Sequence, residues 1–118
     1  MTSIEKAERI AHILDEKKGK DIKILHVTDQ TVITDYFVIC NGGSNTQVKA
    51  LSDEVEYKLR EEDNITPARV EGYAGAAWIL LDFGDVIVHV FDPDSREFYK
   101  LEKLWAEAEE VPFAAKED

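Results

Sequence analysis

The residues of this chain that could do chemistry fall in a few short stretches, and each can be weighed by type and spacing. Gly42-Gly43-Ser44 stands between the apolar run YFVIC and an amphipathic segment. Backbone amides at such a helix start could hold a phosphate. The spacing matches neither G-x-x-x-x-G-K-[ST] nor G-x-G-x-x-G, so the phosphate signal is weak. A nucleotidyltransferase also places Gly-Ser before a helix, but it needs closely spaced carboxylates on a following strand to hold metal ions. Here RVEGYAGAAWILLDFGD follows, and its Asp82 and Asp85 flank a turn instead of sharing one strand face. Asp82-Phe83-Gly84 has the letters of the kinase metal loop, yet the glycine-rich loop, the strand lysine and the H-R-D segment are all missing. His12, His26 and His89 show no H-x-x-x-H spacing and no cysteine pair accompanies them. Cys40, inside YFVIC, reads as a small buried hydrophobe. His89 stands diagonal to Asp82 in the hairpin register given below, within reach of a cross-strand hydrogen bond. With no nucleophile beside it, that pair reads as structural.

The elements that must position these groups are a mixture of helices and strands. WILLDFGDVIVHVF, residues 78 to 91, predicts a β-hairpin with Gly84 and Asp85 in a type II′ turn. That register sets Phe83 opposite Val86, Leu81 opposite Val88 and Ile79 opposite Val90, a wholly apolar face. The other face sets Asp82 opposite Ile87, Leu80 opposite His89 and Trp78 opposite Phe91. A half-solvated sheet would carry polar residues there, so a second layer or a partner must cover it. Residues 2 to 18 predict a helix, with Thr2 and Glu5 as a capping box, a stripe of Ile4, Ala7, Ile10, Ala11 and Leu14, and Gly19 as its stop. Residues 21 to 28 and 35 to 41 predict strands. SNTQ at 44 to 47 predicts a second capping box, leading a helix whose Val48, Leu51, Val55 and Leu59 share a face, with Glu54 to Lys58 and Glu56 to Arg60 as solvent-side pairs. A short strand is expected at ARVEG. The last helix is expected over REFYKLEKLWAEAEE, and VPFAAKED should fray.

Composition narrows the function classes. At 118 residues the chain suits one domain, and its single cysteine excludes a disulfide framework within the chain. The charged N-terminal segment lacks the apolar core of a signal peptide, and no run approaches the length of a membrane span, so a soluble, cytoplasmic protein is expected. Fourteen Lys and Arg against twenty-five Asp and Glu leave a formal net charge of −11. That balance disfavours direct binding to nucleic acid or anionic membranes and favours a basic protein partner.

Four segments, TDYFVICNGGSNTQVKAL, VEG, WILLDFGDVIVHVF and FYKLEKLW, resemble in order and spacing the ribosomal silencing factor family, also called Iojap. The resemblance covers residues 4 to 106. It is mildly imperfect at Gly43 and Gln47, where the family commonly carries Thr and a basic residue or His. It implies an α/β mixed (α+β) fold: a single mixed β-sheet packed by helices, nucleotidyltransferase-like without catalytic carboxylates. It further implies a non-enzymatic protein, with no cofactor or metal, that docks on the large ribosomal subunit through large-subunit ribosomal protein fourteen. There it would block joining of the small subunit and repress translation when nutrients run short.

On that reading the mixed hairpin face, Trp78, Leu80, Asp82, Ile87, His89 and Phe91, with Glu71 near its edge, is the partner-binding patch. An apolar centre with an aromatic anchor and an acidic rim suits a basic partner. The domain is expected over residues 1 to 110, with 111 to 118 as a short acidic tail. A homodimer of the free protein is a further expectation. Two other readings stand beside this one. An enzyme using Gly42-Gly43-Ser44 would bind nucleotide and lose activity on replacement of Ser44. A structural role would have the C-terminal helix cover the second hairpin face from within, and Tyr99, Leu101, Leu104 and Trp105 are expected to be core on that account.

Overall fold

Helix starts and stops along the chain follow local hydrogen bonding. In the computed structural model, which describes residues 1–28, 33–99 and 108–113, helix α1 spans Ser3–Glu16. Thr2 Oγ1 accepts from the Glu5 amide at 3.2 Å, and Glu5 Oε1 accepts from the Thr2 amide at 2.8 Å. The helix ends in paired reverse bonds, Lys18 N–H to Asp15 O and Gly19 N–H to Leu14 O. The left-handed residue of this stop is Lys18 (φ 70), not Gly19. Gly19 suits the stop for a different reason: a Cβ there would lie 3.0 Å from the Leu14 carbonyl, so a larger residue would require a small shift. Helix α2 spans Asn45–Asp63, buries Val48, Leu51, Ser52, Val55 and Leu59, and stops at left-handed Asn64. Its outer ion pairs are Lys58 with Glu62 at 3.7 Å and Arg60 with Glu61 at 3.9 Å, in place of the expected Glu54–Lys58 and Glu56–Arg60.

The strands are β1 (Lys20–His26), β2 (Tyr36–Asn41), β3 (Arg69–Glu71), β4 (Trp78–Asp82), β5 (Val86–Phe91) and β6 (Glu109–Val111), with a short helix α3 (Pro93–Tyr99) after β5. They form one mixed sheet in the order β3-β4-β5-β2-β1-β6. Only β2 and β5 run parallel among these pairs, and a parallel pair cannot be closed by a tight turn, so α2 and the β3–β4 hairpin carry the crossover. These central strands, FVIC and VIVHVF, are buried on both faces.

Alternation then divides the interior into two unequal parts. Ile24, Val38, Cys40, Val70, Ile79, Leu81, Val86, Val88 and Val90 meet α1 and α2 on one face. Leu25, Val27, Phe37, Ile39, Ile87 and Phe91 form a smaller cluster on the other, with Trp78, Leu80 and Ala108 packed against it.

The C-terminal region departs from the periodicity-based expectation. Glu109–Val111 pairs antiparallel with β1, Ile24 opposite Val111, and Phe113 packs edge-on against His12 at 4.9 Å between ring centres. The expected boundary between residues 110 and 111 therefore falls inside a strand. Leu101, Leu104 and Trp105 lie outside the described residues.

Candidate functional site

The hairpin β4–β5 has the register that alternation predicts, from Trp78 opposite Phe91 to Asp82 opposite Ile87. At its turn Phe83 N–H donates to Val86 O at 2.9 Å, Gly84 sits at φ +88, and Asp82 Oδ1 accepts from the Gly84 amide at 2.8 Å. Asp85, the other turn residue, accepts from Lys6 Nζ at 2.6 Å and from Ser3 Oγ at 2.8 Å, which ties the start of α1 to the turn. Burial works to raise the Asp85 pKa, but these hydrogen bonds outweigh it and hold the carboxyl below its ordinary value.

At the opposite end the loop before Trp78 is held from two sides. Asn45, the first residue of α2, donates to the Ala76 carbonyl at 3.0 Å. Gly72 sits at φ +80, where a Cβ would come within 2.1 Å of the Trp78 carbonyl, so only glycine fits. Sequence patterning gives Gly72 no special role, since the close approach depends on how β3 meets β4. The VEG of the family motif is the one signal that marks it.

On the second face, the Trp78 indole stacks on Phe91 with ring centres 5.1 Å apart and donates from Nε1 to His89 Nδ1 at 3.0 Å. His89 is 4% exposed, and Phe37 meets its ring edge-to-face at 4.8 Å. Burial pushes the His89 pKa down to about 4, so the ring is neutral at pH 7. Because Nδ1 accepts, the ring proton sits on Nε2, which is buried without a hydrogen-bond partner. Such a donor costs about 1–3 kcal/mol. The expected Asp82–His89 pair does not form: Asp82 instead accepts from Arg69 at 3.2 Å and from the Gly84 amide.

The Gly42-Gly43-Ser44 loop uses its own polar groups. Ser44 Oγ accepts from the Gln47 amide at 3.2 Å, and the Gln47 side chain accepts from the Gly43 amide at 2.5 Å while donating to Lys18 O. The second capping box is therefore half formed, with Gln47 reaching Gly43 instead of the Ser44 amide. Among the described residues no cluster of three or more His, Cys, Asp or Glu could hold a metal ion, and no helix is long and apolar enough to cross a membrane.

A family model described as ribosomal silencing factor during starvation matches residues 1–118. The chain is 40% identical over 111 residues to the ribosomal silencing factor of Halalkalibacterium halodurans, covering 94% of each. This chain belongs to the ribosomal silencing factor family. A crystal structure of a Chromobacterium violaceum protein superposes with a TM-score of 0.86 at 35% identity, covering 98% of this chain and 95% of that one. A mouse protein named for mitochondrial assembly of the ribosomal large subunit is 31% identical over 103 residues, 83% of this chain and 44% of its own length.

In this chain the sequence-predicted patch is brought together on one sheet face but is unevenly accessible. Ile87, His89 and Phe91 are buried at 6%, 4% and 0% exposure. Trp78, Leu80 and Asp82, all on β4, are half-buried, and Glu71 on edge strand β3 is exposed. Phe37 and Ile39 on β2, with Leu25 and Val27 at β1, extend the same face beside them. Hairpin alternation could not find those four, because it says nothing about which strands lie beyond β5.

Proposed function

We propose that this protein silences the large ribosomal subunit by occupying it, docking through ribosomal protein fourteen at the face that meets the small subunit, and so represses translation when nutrients are limiting. The mechanism is exclusion by volume and asks for no catalytic group. The observation that carries the reading is the row Trp78, Leu80 and Asp82: aromatic, aliphatic and acidic residues in line on β4, part-exposed beside a buried apolar cluster and next to exposed Glu71. A net charge of −11 favours approach to a basic surface in the ribosome-rich cytoplasm. In the free protein a second copy would cover the same row, giving a homodimer that the ribosomal partner displaces.

Sedimentation of ribosomal subunits with the wild type and with Trp78→Ala tests this reading. Truncating a central interfacial Trp costs roughly 2 to 4 kcal/mol, about thirty-fold to several hundred-fold in affinity. The wild type is expected to travel with large subunits and keep them apart from small ones. Trp78→Ala is expected to remain at the top of the gradient while subunits join. Wild-type co-sedimentation of a folded Trp78→Ala protein would show that docking occurs elsewhere.

A further inference from the structure

His89 is the residue of the second face whose presence packing does not explain. It is ringed by Phe37, Phe91 and Trp78, where a phenyl ring would pack without the buried Nε2 donor that lacks an acceptor. What a phenyl ring could not supply is the Nδ1 lone pair that receives the Trp78 indole N–H. Stacking on Phe91 sets the plane of the indole, and a hydrogen bond at Nε1 sets its rotation within that plane. We propose that His89 is a positioning residue for docking, its Nδ1 fixing the orientation in which β4 presents the Trp78 indole to the ribosomal partner. The inference rests on the reading that Trp78 contacts that partner. An anchor already ordered loses less side-chain freedom on association. Burial keeps the imidazole neutral, so Nδ1 remains an acceptor at neutral pH.

The test combines large-subunit binding with the indole N–H resonance of Trp78, assigned by its disappearance in Trp78→Phe. In full-length His89→Phe the urea midpoint is expected to stay nearly level, because removal of the orphan Nε2 donor offsets the acceptor lost to the part-buried Trp78 indole. The indole resonance should shift and lose protection from exchange. Affinity for large subunits should fall about three- to tenfold, the worth of one neutral hydrogen bond. His89→Asn places an amide oxygen near the site of Nδ1 and should recover the resonance and most of the affinity. His89→Gln carries its amide one atom farther out and should not. In a Trp78→Phe background, which has no indole donor, His89→Phe should have no further effect.

Wild-type affinity in His89→Phe, while Trp78→Ala fails to bind, would overturn this inference and leave the docking reading intact. Wild-type binding by Trp78→Ala would instead sink the docking reading. Should His89→Phe fail to fold, the Asn and Gln variants decide: equal affinity in those two would overturn the role given to Nδ1.

Discussion

The two faces of the sheet are built from the same strands and differ in what completes them. On the first, Ile79, Leu81, Val86, Val88 and Val90 meet α1 and α2, and side chains from every layer close the space. On the second, Ile87, His89 and Phe91 are just as buried, yet their neighbours across the hairpin, Leu80, Trp78 and Asp82, keep part of their surface. Burial on the first face contributes to stability. An orphaned imidazole nitrogen does not tell the faces apart, since His12 Nδ1 on α1 is buried without a hydrogen-bond partner just as His89 Nε2 is. What sets the second face apart is a half-buried row on β4 that includes Trp78 and Leu80. Part-exposed apolar rows of this kind are commonly interaction surfaces.

Adjacent leucines of β4 give the sharpest way to break that contrast. Leu81 is fully buried under the helices and Leu80 is half-buried on the other side. Leu81→Ala should cost about 3–4 kcal/mol of stability, read as a large fall in urea midpoint, because both transfer energy and a cavity are involved. Leu80→Ala should cost only about 1 kcal/mol in the same measurement, since less apolar area leaves contact, and should weaken large-subunit binding several-fold. Equal losses of stability would show that the second face is core throughout.

How much of this was legible depended on how local each feature is. The hairpin register follows from alternation and Gly84-Asp85, and α1 from Thr2 and Glu5, because the deciding bonds join residues close in sequence. Glu109–Val111 shows no strand pattern, since two of its three residues are exposed glutamates, and the unpaired edge of β1 recruits it. Leu25, Val27, Phe37 and Ile39 came beside the hairpin on its second face through the strand order, a non-local fact. The partner of His89 shows the limit most clearly. Leu80 lies directly opposite it, which makes Trp78 and Asp82 equivalent diagonals. The turn breaks the tie: Asp82 is taken by the Gly84 amide and Arg69, leaving the indole as donor.

Asp85 extends the comparison to how the helix-covered face is closed at its turn end. Its folded pKa lies below the ordinary value of 3.8, so the carboxylate contributes stability above the unfolded value, and that contribution is lost as pH falls through the lower folded value. Asp85→Asn should therefore lower the urea midpoint by the equivalent of about 1 kcal/mol at neutral pH. The gap between variant and wild type should hold from pH 7 to about 5 and close as pH drops below about 4. A gap that persists unchanged in acid would mean that Lys6 and Ser3 do not prefer the ionised form. Ribosome binding should be unaffected, because this carboxylate belongs to the α1 side of the turn.

The smallest effect is expected at Asp82, and it separates charge from shape on the second face. Asp82→Asn retains an oxygen for the Gly84 amide, so the turn and the register should survive, with stability changed by about 0.5 kcal/mol or less once the Arg69 contact loses its charge. What changes is the field that a basic partner meets. Removing one acidic group from the rim should slow association a few-fold at low salt, with little effect on dissociation. The difference should vanish at high salt, because exposed charges farther apart than about 8–10 Å are screened near physiological ionic strength. Asp82→Lys, which reverses the charge and gives up the turn bond, should lower both affinity and stability, so Asp82→Asn is the cleaner probe. An association rate that is unchanged at low salt would place Asp82 among the residues that only shape the hairpin, and would confine docking on this face to Trp78 and Leu80.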